Sequence, residues 1–87
     1  MRNVKERVTN MFSLPKEIVL DLPLIQATGR GEVNIENYKN LLEFAETKIR
    51  LGTKDGIIVV EGEGLKLQQV TSENVLIAGR ISGISYL

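Results

Sequence analysis

The chain has 87 residues, with 11 basic and 11 acidic side chains, and it contains neither cysteine nor histidine. That length suits one domain with a modest core, and the missing residue types exclude disulfides, thiolate or imidazole metal sites and the usual catalytic triads. The balanced charge removes the global field that draws basic proteins to nucleic acid; apolar runs such as Ile57-Ile58-Val59-Val60 fall far short of the ~20 residues that span a bilayer, and the first residues lack a signal-peptide core, so the chain is expected to be soluble and to work where it is made.

Val4, Val8, Met11 and Phe12 recur at helical spacing while Arg2, Lys5, Glu6 and Arg7 take the other faces. The pattern predicts a short amphipathic helix over residues 2 to 12. Three turns alone are marginal in water, so the helix must dock on the body of the protein or on something else. The chain's only two prolines, Pro15 and Pro23, bracket the next segment, in which Ile18, Leu20 and Leu22 alternate with Val19 and Asp21. This is the period of a strand with one face buried, and proline cannot donate to a ladder, so the strand must stop at both ends. It reads as an edge or entry strand that couples the N-terminal helix to the sheet.

Leu24 to Thr28 resumes an extended pattern, Gly29-Arg30-Gly31 turns, and Glu32 to Glu36 alternates with Val33 and Ile35 inward. Residues 37 to 51 support two readings. Tyr38, Leu41, Leu42, Ala45 and Ile49 fit an amphipathic helix stopped by Gly52, and Leu, Glu, Ala and Lys favour helix intrinsically. Alternatively, Leu41 to Phe44 and Lys48 to Leu51 are two strands joined at Ala45-Glu46-Thr47, and the strict alternation of the second, between β neighbours, favours this reading. Thr53 to Gly56 is turn chemistry, Ile57 to Glu61 is a β-branched run, Gly62-Glu63-Gly64 turns again, and Leu65 to Val70 alternates. Thr71 to Asn74 turns before the last strands, which Gly79 and Gly83 punctuate. The expected fold is mainly β, an antiparallel meander forming a small sandwich or open barrel. The N-terminal helix (residues 1–13) precedes a single β-rich domain (residues 14–87).

The proline-bracketed run from Leu14 to Pro23, then Gly31 through Glu36-Asn37-Tyr38-Lys39, Ile49-Arg50-Leu51 with Gly56 to Val60, and the closing Ile77 to Leu87 together resemble the YabP/YqfC family of sporulation proteins. The resemblance covers nearly the whole chain. It implies a protein of endospore-forming bacteria without enzymatic activity or cofactor. It further implies a place in the mother-cell cytoplasm, peripheral to the forespore membrane, and association with a larger membrane protein encoded beside it.

The residues themselves offer little chemistry. Gly52-Thr53-Lys54 lacks the upstream glycine and the Gly-Lys-Ser/Thr order of a phosphate loop, and the Gly-x-Gly pairs at 29–31 and 62–64 lack the third glycine of a dinucleotide fingerprint. Glu61, Glu63 and Asp55 are too few for a calcium loop and read as solvated turn charges. A general-acid role for Asp21 would need burial and a raised pKa, but strand alternation points it outward, and no catalytic or metal residue is assigned. Phe12, Tyr38, Phe44 and Tyr86 are not interleaved with basic residues as a nucleic-acid stacking platform requires, and core packing accounts for them better.

Interaction surfaces remain. Arg2, Lys5 and Arg7 on the predicted helix would suit an anionic membrane surface, although covering the domain's own sheet is the more ordinary role. Open sheet edges can take a partner's strand or a second copy of the chain, and Lys66 and Arg80 are candidates to blunt such edges by charge. The candidate interaction residues are Val4, Val8, Met11, Phe12, Leu14, Pro15, Ile18, Leu20 and Pro23. The expected role is a small module that docks on a membrane-protein partner, against the alternative of a β domain that binds a small ligand or polysaccharide during spore-envelope assembly. A ligand module should show a pocket with convergent polar groups, and a docking module an exposed apolar patch or open edge.

Overall fold

The structure, a computed structural model, describes residues 21–87. The predicted N-terminal helix and most of the proline-bracketed strand therefore lie outside the described residues. The last two positions of that strand, Asp21 and Leu22, are not extended sheet, and Asp21 has a left-handed φ of 60°.

The described chain forms six strands: β1 (Leu24–Thr28), β2 (Glu32–Glu36), β3 (Tyr38–Ala45), β4 (Lys48–Thr53), β5 (Gly56–Val70) and β6 (Asn74–Tyr86). All neighbours pair antiparallel in one open sheet of order β1-β2-β6-β5-β4-β3. Residues 37 to 51 are thus two strands rather than a helix. The simple meander is corrected. β3 to β6 are successive hairpins, but the β1-β2 hairpin attaches to β6, with Val33 opposite Ile77 and Ile35 opposite Val75.

This order forces the sheet to curl. In a flat sheet β2 and β3 would stand four strand spacings apart, about 19 Å. Asn37 alone joins them, and Glu36 to Tyr38 spans at most about 7 Å. The end of β2 must therefore come round to the start of β3. Val33 and Ile35 of β2 consequently share one buried cluster with Ile49 and Leu51 of β4, Ile58, Val60 and Leu65 of β5, and Val75, Ile77 and Ile81 of β6. The alternation of the sequence selects these inward positions strand by strand.

The curl is made by bends inside long strands. Gly62-Glu63-Gly64 and Gly79 looked like turns between strands, yet β5 runs unbroken for 15 residues and β6 for 13. Register shifts between Glu61 and Gly62 and between Glu63 and Lys66 mark bulges, which bend a strand and increase its twist. Gly64 has φ 60° and Gly79 φ 142°, and a Cβ on Gly79 would stand 2.7 Å from the Gly64 carbonyl oxygen and 2.9 Å from Leu65 Cα. Only glycine permits both that φ and that approach. The β3-β4 turn seals the same bend, its Glu46 carbonyl accepting from Leu65 N–H at 2.8 Å and its Thr47 carbonyl from Gly62 N–H at 3.1 Å.

Candidate functional site

Lys66 and Arg80, expected to blunt edges, lie instead on β5 and β6, in the middle of the sheet. The edges among the described residues are β1 and β3, and they differ in character. The last three residues of β1, Gln26, Ala27 and Thr28, are small or polar and exposed. β3 carries Leu41, Leu42 and Phe44, exposed by 41%, 44% and 48%.

Two bulges place these side chains. Tyr38 pairs with Thr53, Leu41 with Leu51 and Phe44 with Ile49, with register shifts between Tyr38 and Asn40 and between Leu41 and Glu43. Residues directly opposite in an antiparallel pair share a face. The core face of β3 is therefore met at intervals of three residues, by Tyr38, Leu41 and Phe44. Tyr38 packs against the core, and its hydroxyl donates to the Thr71 carbonyl at 2.6 Å. Leu41 and Phe44 extend the core face beyond the last strand into solvent. Leu42 is on the other face, near Gly52, where Asn40 also sits. Glu43 is within 3.5 Å of Arg50 on the neighbouring strand. Phe44 and Tyr86, expected in the core, are exposed by 48% and 62%, because both stand at the margin of the sheet.

The chain enters the described structure beside this edge. Asn37, with a left-handed φ of 66°, donates from its side chain to the Leu22 carbonyl at 2.9 Å. Its own N–H donates to the Glu73 carbonyl at 2.7 Å. Lys39 of β3 donates to, and is paired with, the Asp21 carboxylate. That hydrogen bond holds the Asp21 carboxyl below its ordinary value of 3.8, against a desolvation that raises it and with further help from the charges of Lys39 and Lys54. The exposed, ionised carboxylate is the reverse of the raised-pKa group that a general acid would need. Pro23, among the sequence-predicted interaction residues, is half-buried just before β1. Val4, Val8, Met11, Phe12, Leu14, Pro15, Ile18 and Leu20 lie outside the described residues.

A second feature is a shallow groove of about 500 Å³ at the β5-β6 bend, lined by Arg30, Gly62, Glu63, Arg80, Ile81 and Ser82. Among the described residues no three acidic side chains converge as a metal site would need. No helix there is long and apolar enough to cross a membrane.

The edge residues Leu41, Leu42 and Phe44 were missed by sequence reasoning, because edge position follows from topology. Their signal was three apolar residues within four positions of a strand, more than one buried face can use.

Two comparisons bear on this chain. The family model described as the YabP family matches residues 23–87, which span all six strands. The chain is also similar to a Bacillus subtilis (strain 168) protein called uncharacterized protein YqfC, at 31% identity over 84 residues, 97% of this chain and 90% of that protein.

Proposed function

Since this chain belongs to the YabP family, we propose that it is a non-enzymatic protein of endospore formation that docks on a membrane-protein partner through the open edge of β3. The mother cell is its site of action, at the cytoplasmic side of the forespore membrane. The resemblance of the sequence to sporulation proteins supports the setting. The observation that carries the docking is the apolar edge itself. An edge strand offers unpaired N–H and C=O groups to an added strand, and Leu41, Leu42 and Phe44 supply side-chain contacts on both faces. Covering the exposed part of each is worth about 1 kcal/mol, from the 1.5–3 kcal/mol of full burial. Backbone pairing would add to this and fix the register.

The test is affinity capture from the membrane fraction of sporulating cells, comparing the parent chain with a Leu42→Glu/Phe44→Glu variant. The parent is expected to recover a membrane protein that the variant loses at unchanged stability. Equal recovery by both would refute docking through β3.

One observation favours a second reading. Arg30 and Arg80 line the bend groove together, which suits an anionic small molecule or acidic polysaccharide. Calorimetric titration with acidic glycans, and its loss in Arg30→Ala/Arg80→Ala, tests it. Absence of heat with the parent chain would remove it.

A further inference from the structure

We infer that the partner enters as one extended segment, inserted between β3 and the second half of β5 and hydrogen-bonded to both, apolar toward the core and acidic toward solvent. The inference rests on the docking reading above and gives that partner its form.

The strand order hides a third edge. β5 pairs with β4 only over residues 56–61. Beyond its bend it pairs with β6 alone, from Lys66 opposite Ala78 to Val70 opposite Val75. Along residues 66–70 the side away from β6 therefore carries no strand, and all but Leu67 are exposed. This edge faces the edge of β3. At one end the Leu65 N–H donates to the Glu46 carbonyl, just past β3. At the other, just past β5, the Tyr38 hydroxyl donates to the Thr71 carbonyl and the Asn37 N–H to the Glu73 carbonyl. β3 and the second half of β5 thus run antiparallel between the same two fixed points, yet no ladder joins them. They are the two banks of a slit.

The core face of the slit is apolar on both banks. Leu41 and Phe44 stand on one. On the other, Leu67 lies opposite Ile77 and Val70 opposite Val75, and both of those partners are core residues. Leu67 packs on the core, but Val70 is 52% exposed, like Leu41 and Phe44 on the facing bank. A strand of five or six residues, about 17–20 Å long, would match residues 66–70 and cover these side chains with every second residue.

Such a strand must be free on both sides. Each of the six described strands already has a neighbour, so a second folded copy can cover one bank and cannot fill the slit. A segment that is extended and unpaired before binding can take both ladders. Charge sets its other face. On the banks, Lys39 and Glu43 are engaged by Asp21 and Arg50, whereas Lys66 has no ion-pair partner among the described residues. Lys66 precedes Leu67 in the strand and so points to the outer face, where an acidic residue of the inserted segment would meet it.

The absence of cysteine makes the test direct. Phe44→Cys and Val70→Cys, each carrying a short photoactivatable crosslinker, probe the two banks in sporulating cells, with denaturant melts matching the parent as the check on folding. Both are expected to label the same membrane protein, at sites within about six residues of one another. Labelling from Phe44→Cys without Val70→Cys leaves docking on β3 standing and overturns insertion. Labelling from neither overturns both readings. A crosslinked dimer, or an adduct within the chain itself, gives the slit to another occupant and overturns the inference. A synthetic peptide of the labelled segment supplies the second measurement. Amide exchange should slow about tenfold on residues 41–44 and on residues 66–70 and stay unchanged on residues 26–28; protection of β3 alone overturns insertion. Lys66→Glu should weaken binding of that peptide about threefold or more, and Lys66→Arg should not; equal binding by Lys66→Glu overturns the acidic face.

Discussion

Gly79→Ala tests whether the bend between the two long strands is a built element of the fold. Gly79 has φ 142°, and a methyl group there would meet Gly64 O at 2.7 Å, Leu65 Cα at 2.9 Å and Gly64 C at 3.0 Å. All three are backbone atoms on β5, so no side chain can swing aside. Holding a non-glycine residue in that φ region costs about 1–3 kcal/mol, and forcing extra volume into a packed contact costs about 1–3 kcal/mol more. The smaller conformational freedom of the unfolded alanine chain returns about 0.4–1 kcal/mol. The net loss is therefore about 1–5.5 kcal/mol, set against a total stability of about 5–15 kcal/mol with small domains near the lower end. Urea denaturation followed by circular dichroism reads this as a midpoint lowered by about 1 M or more, given a slope near 1 kcal/mol/M for a chain of this size. Gly83→Ala is the control on the same strand, since its added methyl meets nothing within 4 Å, and it should match or slightly exceed the parent. A Gly79→Ala protein within about 0.5 kcal/mol of the parent, the scatter of neutral surface changes, would refute the close crossing of β5 and β6.

Other expectations follow from the same geometry. Ile77→Ala removes a side chain that is 0% exposed and pairs across to both β2 and β5, and should cost about 2–5 kcal/mol in denaturant melts; a loss under 1 kcal/mol would mean that the curled core is not closed there. Tyr38→Phe deletes only the hydrogen bond to the Thr71 carbonyl and should cost about 0.5–1.5 kcal/mol, a null effect showing that the corner does not depend on it. Asp21 has a lowered pKa in the folded chain, so the Lys39 tether contributes above the ordinary value of 3.8 and is lost as pH falls through the lower folded value. Carbon-detected titration should place the Asp21 midpoint below 3.8 and return it toward 3.8 in Lys39→Met; an unmoved midpoint would dismiss the pair.

Much of the sheet was legible because burial on one face writes a period of two into a strand. Val33 and Ile35 were read inward, Lys48 to Leu51 was read as strictly alternating, and Val33, Ile35, Ile49 and Leu51 are all fully buried. The helix rival over residues 37 to 51 had a physical origin. The two bulges of β3 each insert a residue, so Tyr38, Leu41 and Phe44 share the core face at spacings of three, which imitates a helix. Bulges also explain why Gly62, Gly64 and Gly79 looked like strand ends: glycine serves a bend inside a strand as well as a turn between two. What local sequence does not carry is the pairing of β2 with β6, some forty residues later. That pairing decides which strands become edges, and so the exposure of Leu41, Leu42 and Phe44 was not readable from their own neighbourhood. The proline-bracketed segment was read as an edge or entry element, and the Asp21–Lys39 and Asn37–Leu22 contacts bring its end to β3.

The docking claim is tested most directly by crosslinking from single cysteines in sporulating cells. Phe44→Cys on β3, Thr28→Cys on β1 and Ser82→Cys in the bend groove, each carrying a short photoactivatable crosslinker, sample the three surfaces separately. A crosslinked membrane protein is expected from Phe44→Cys alone of the three. The same adduct from Thr28→Cys or Ser82→Cys, with none from Phe44→Cys, would contradict it.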